Sequence, residues 1–135
     1  MNSQILVSRR SVQVLRVMLS GIFLVASLHH LFNIEKTVNR IDQANFKGIA
    51  YFFGNPELLV MLSGVVMLIA GIGLIIGFKT RWAATILLAV LIPITLTVQV
   101  GQITTLGPLF KNIAISGGLL FFILNDFKDH QTRKI

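Results

Sequence analysis

The chain has 135 residues, of which 54% are hydrophobic and only 13% charged. A soluble domain carries about 25% charged residues, and 12 basic with 5 acidic side chains cannot cover long apolar helices, so composition excludes a soluble helical domain and indicates a membrane protein. The net charge of +7 is no nucleic-acid signature, because the basic residues sit at segment ends and not along a face interleaved with aromatics; with no cysteine, a disulfide, a thiol redox pair or a thiolate metal site within the chain is also excluded.

Residues 1–13 are a short polar start containing Arg9 and Arg10. Basic residues before an apolar run also describe a signal peptide. The run ends in SLHHLFNIEK without a convincing cleavage site and further apolar segments follow, so a retained anchor is expected. Val14 to Phe32 is the first span. Arg16, Ser20, Phe23, Ser27 and His30 recur every three or four residues and share one helical face. Such a polar stripe is expected to face the bundle interior; the alternative places its ends at the two interfaces, with Arg16 snorkelling to the headgroups. Asn33 to Pro56 is the longest polar connection. Val38, Ile41, Ile49 and Phe52 suggest a helical apolar face, either on an interfacial helix or on an extension of the first span. Tyr51, Phe52 and Phe53 suit an aromatic belt. Asn55 is placed to cap the next helix, Pro56 to open it, and Glu57 to meet its positive end.

Leu58 to Phe78 is 21 residues without a charge, enough to cross a hydrocarbon core of about 30 Å. Gly73-x-x-x-Gly77 within it predicts a close helix crossing inside the chain. Lys79-Thr80-Arg81 is too short to cross anything, so the next span must run antiparallel beside it. That span, Trp82 to Val98, reaches full length through Gly101. Pro93 in its middle removes one hydrogen bond and predicts a kink. Thr95, Gln99 and Gln102 form a second polar face, which either lines a small cavity or satisfies the carbonyl that Pro93 frees. After residues 101–107, Pro108 is expected at the first position of a fourth helix reaching Asn125. Lys111 can snorkel from its first turn, and Gly117-Gly118 offers a close crossing. The expected fold is therefore all-α: a polytopic, antiparallel bundle of four transmembrane helices. It divides into an N-terminal segment 1–13, a membrane domain 14–125 and a C-terminal tail 126–135. Eight basic residues fall on the side holding both ends and the 79–81 turn, against four on the other. The positive-inside rule then makes this a multi-pass protein of the cell membrane with both termini cytoplasmic.

No catalytic constellation is recognisable. His29 and His30 point about 100° apart on a helix, and His130 is expected across the membrane. Haem held wholly by this chain is not expected, nor is a carboxylate–histidine metal site or a phosphate loop. The candidate binding residues are the polar positions in apolar surroundings: Arg16, His30, Thr95 and Gln99. His30 could exchange a proton or bond a polar ligand; the alternative is a helix-end histidine among headgroups. Such residues could make the few polar contacts that a ligand needs in an apolar pocket. The Pro93 break suggests instead a small-molecule transporter or permeability factor. Membrane lipids are implied partners; nucleic acid is not.

The order of these features resembles the DoxX family of small membrane proteins over nearly all of residues 14–125. The first helix is similar in Arg16, Phe23, Ser27 in the usual glycine position, and His30. The second helix and turn are similar in Gly71-Ile72-Gly73-Leu74 and Gly77-Phe78-Lys79-Thr80-Arg81. The last helix is similar in Lys111-Asn112 and Gly117-Gly118. Some DoxX members are subunits of thiosulfate:quinone oxidoreductase, and others associate with membrane redox and thiol-stress systems. The resemblance therefore implies a non-catalytic or quinone-associated subunit of a membrane redox system, with a redox-protein partner or a second copy of the chain.

Overall fold

The computed structural model describes residues 5–101 and 103–125. Among them are six α-helices and no strand: α1 Arg9–Phe32, α2 Ile34–Asp42, α3 Lys47–Phe52, α4 Pro56–Ile76, α5 Thr80–Val98 and α6 Leu106–Leu124. A 3-10 turn at Ile103–Thr105 leads into α6. Four helices are long and apolar enough to cross a membrane: α1, α4, α5, and α6 with its leading turn. None has more than 33% of its most apolar stretch buried. Val25, Ile69, Ile76 and Ile113 instead lie exposed on outer faces, as expected where the solvent is lipid.

α1 packs mainly on α4, α4 on α5 and α5 on α6, and a lighter contact joins α6 to α1. Consecutive spans are thus neighbours, and their antiparallel sense is written in the contacts. Leu31 lies against Gly64, while Leu24 lies against Gly71, so position falls along α1 as it rises along α4. Phe23, Met67, Leu74, Leu87, Leu119 and Phe122 fill the space between the spans. In lipid, close packing holds such a core together, because expelling water is no longer the driving force between helices.

The close crossings are not where the Gly73-x-x-x-Gly77 motif predicts them. A Cβ on Gly64 would stand 3.0 Å from Leu31 Cγ, one on Gly71 3.2 Å from Leu24 Cδ2, and one on Gly118 3.0 Å from Leu19 Cδ1. Gly73 has nothing nearer than 3.5 Å, and Gly117 nothing within 4 Å. Gly77 instead ends α4 in the left-handed conformation, φ 80°, and Phe78 N–H bonds back to the Gly73 carbonyl at 2.9 Å. Seven-residue spacing between Gly64 and Gly71 returns to one helix face. Gly77 lies past the helix end, where a backbone with φ > 0 is the requirement.

The helix ends follow local chemistry. Ser8 Oγ accepts from Ser11 N–H at 3.2 Å, so α1 begins at Arg9, upstream of the expected Val14. Asn55 Oδ1 accepts from Glu57 N–H at 3.0 Å, with Pro56 opening α4 as expected. α6 begins at Leu106, so Pro108 is its third residue and not its first. Its missing N–H still falls in the turn that has no intrahelical acceptor. α5 runs as one helix through Pro93.

The 33–56 connection becomes two short helices across one end of the bundle. Ile41 of α2 and Ala50 of α3 bury together against Val60, with Val38 and Val98 beside them. Phe52, expected on this apolar face, is 86% exposed. The non-helical residues 43–46 reset the register, so Ala50 takes the inward position. Asn45 Nδ2 donates to the Gly101 carbonyl at 2.9 Å. Phe46 lies so close to Gly101, φ 87°, that a Cβ there would meet it at 2.8 Å. These contacts fix the 43–46 loop onto the end of α5.

Candidate functional site

Under this roof lies a cavity of about 320 Å³, bounded by the end of α1, α2, α3, the first half of α4 and the second half of α5. That is near the low end of ligand pockets, about 300–1,000 Å³. Ile41, Phe53, Val60, Val90, Ile94 and Val98 supply much of its apolar wall. Leu62, Val66 and Ala89 line it and are also exposed. They lie near the middles of α4 and α5, so the cavity opens sideways between those helices at bilayer depth. Pro93 lines it as well. Having no N–H, it cannot donate to the Ala89 carbonyl one turn earlier.

The polar groups are few and each has a structural cause. His30 sits in the last turn of α1, whose end is drawn onto α4 by the Gly64 crossing. Its Nδ1 lies 3.0 Å from Ser63 Oγ. Ser63 Oγ in turn donates to the Val60 carbonyl at 2.8 Å. Gln99 caps the end of α5, and its Oε1 is buried without a hydrogen-bond partner. An amide oxygen left so costs about 1–3 kcal/mol relative to a bonded one, which marks a place where a ligand or water donor belongs. Thr97 is buried in the wall, and Thr37, whose hydroxyl bonds the Asn33 carbonyl at 3.1 Å, faces it from α2. Arg40 of α2 also lines it and is exposed, adding positive charge at the roof.

Of the four candidate residues, the cavity brings together His30 and Gln99. Arg16 stands fourteen residues earlier on α1, about 21 Å away along the axis. Thr95 faces α6: it donates to the Leu91 carbonyl at 2.7 Å and accepts from Asn112 Nδ2 at 2.9 Å. The α1 stripe does face inward, with Ser20, Phe23 and Ser27 buried. Its two hydroxyls bond their own helix, Ser20 to the Arg16 carbonyl and Ser27 to that of Leu24. Gln102 and His130 lie outside the described residues. Among those described, no three histidine or carboxylate side chains could share a metal ion.

Sequence reasoning missed Ser63, Thr97, Thr37 and Arg40. Ser63 had a signal. It is the one polar side chain between Leu58 and Phe78, although a serine among so many glycines also suits plain packing. Thr37 and Arg40 had none, because their place depends on how α2 folds back over α4.

The DoxX family model matches residues 11–100, a stretch that contains every residue lining the cavity. No curated protein and no solved structure matches the chain.

Proposed function

The chain belongs to the DoxX family, and from that premise we propose that it is a non-catalytic subunit of a membrane redox system whose cavity holds a quinone headgroup. The observation that carries the reading is that His30 and Gln99, whose amide oxygen is buried without a partner, line one largely apolar cavity. A quinone offers a flat apolar ring with polar atoms at opposite edges, which suits two polar contacts set in an apolar wall. The sideways opening between Leu62, Val66 and Ala89 supports a ligand that arrives dissolved in the bilayer. The cavity is small, and a prenyl tail would leave by the same opening. In this reading electrons reach the quinone through a redox-protein partner. Transport is the weaker reading, because α5 is not the discontinuous helix that would motivate it.

The test is binding and coupling together. Protein purified from its membrane should carry quinone extractable in roughly stoichiometric amount. His30→Ala should lose about tenfold in affinity for the redox form of the headgroup that His30 bonds, the effect of removing one buried hydrogen bond, while inserting and assembling as before. Protein without quinone, together with equal activity and assembly in the variant, would sink the reading.

A further inference from the structure

We infer that the cavity selects the reduced, dihydroxy form of the quinone, because the polar edge it presents through His30 accepts a hydrogen bond and does not donate one. The inference rests on the quinone reading above and adds the redox form of the ligand.

Ser63 has one hydroxyl proton, and it is directed to the Val60 carbonyl. Only lone pairs of Ser63 Oγ then remain for His30 Nδ1 at 3.0 Å, so Nδ1 must be the donor. A neutral imidazole carries one proton, so fixing it on Nδ1 leaves Nε2 as an acceptor. Gln99 does not reverse this preference. Its amide can accept from a quinol or donate to a quinone according to rotation about its last bond. A quinone has two carbonyl acceptors and no proton to give, so its oxygen would meet the Nε2 lone pair unbonded. A quinol has two O–H donors and matches it. Discrimination by a buried acceptor left unpaired is about tenfold or more.

Ser63 is therefore a positioning residue, acting on the ligand only through the tautomer of His30. Its position one residue before Gly64 ties the device to the α1–α4 crossing: the approach that Gly64 permits brings the ring to the hydroxyl.

The experiment uses the full chain in lipid nanodiscs at about pH 8, where an ordinary histidine is neutral. Binding of decylubiquinol, held reduced under argon, is compared with that of decylubiquinone. Imidazole ¹⁵N shifts of the labelled protein report the His30 tautomer, assigned with His30→Gln. The expected results are an Nδ1–H tautomer, quinol binding about tenfold tighter than quinone, and a shift of the Nε2 resonance when quinol is added. In His30→Gln, whose amide can accept or donate, the preference should fall to near unity while quinone binding persists. An Nε2–H tautomer, or quinone binding as tightly as quinol, overturns this inference and leaves the quinone reading standing. If neither form binds, both fall.

Discussion

Two polar residues on α5, one turn apart, illustrate how context assigns roles. Thr95 is joined to Asn112 across the α5–α6 contact, whereas Gln99 lines the cavity and its buried amide oxygen has no partner. Thr95→Val should therefore lower thermal stability in detergent by about 0.5–2 kcal/mol, by stranding the Asn112 amide, and leave quinone binding unchanged. A loss of binding at unchanged stability would place Thr95 at the site instead. Gly64 is the reverse case. A methyl there meets Leu31 and the His30 Cβ at 3.0–3.1 Å, so Gly64→Ala should cost about 1–3 kcal/mol and weaken binding by moving His30. Gly117→Ala, with open space around it, should do neither. Tyr51, the single tyrosine of the chain, donates its phenol proton to Asp42. That hydrogen bond, more than any burial or the carboxylate charge, raises its pKa above the ordinary value of about 10. The bond's contribution to holding α2 on α3 is complete below the ordinary phenol pKa and is lost as pH rises through the raised one. Ultraviolet titration should show Tyr51 ionising late, and Asp42→Asn should bring it back down.

Among the elements, α4 has the most explicit boundaries. Asn55 caps it, Pro56 opens it and Gly77 closes it in a left-handed turn. Asn55→Ala should cost about 1 kcal/mol, and Gly77→Ala about 1–2 kcal/mol through the Cβ penalty at φ > 0, both measured by thermal unfolding. α2 and α3 are too short to stand alone. They stay in place through Ile41 and Ala50 on Val60, and through Asn45 on Gly101. Asn45→Ala should loosen this roof, seen as faster amide exchange over 34–52 with little change in the four spans. Equal exchange throughout would show that the apolar contacts suffice alone.

At the scale of the molecule, an even number of spans puts the start of α1, the α4–α5 turn and the end of α6 at one end, and the cavity at the other. From the excess of basic residues at the first end we propose that this end is cytoplasmic, with the roof and cavity on the opposite side. A reporter fused after residue 5 should read out in the cytoplasm, and one after residue 44 outside it. The reverse pattern would invert the protein and with it the side from which a redox partner reaches the cavity.

The sequence by itself determined the solvent and the count of spans. Apolar runs of membrane length have one home, and a turn such as 79–81 forces antiparallel neighbours whatever else the chain does. It also determined the caps at Asn55 and Pro56, which depend only on adjacent residues. The stripe of Ser20, Phe23 and Ser27 on α1 was legible as an inward face because 3.6-residue periodicity fixes it. Which small residues cross, which polar groups meet and what they meet were decided only by tertiary structure. Gly64 and Gly71 cross α1 because α4 is rotated to present them, a rotation set by packing against two helices at once. His30 reaches Ser63 across thirty-three positions of chain, and Thr95 turns to Asn112 when its neighbour Gln99 does not. Helical periodicity gives the angle of each side chain about its own axis; the partner at that angle belongs to another helix, and only the assembled bundle supplies it.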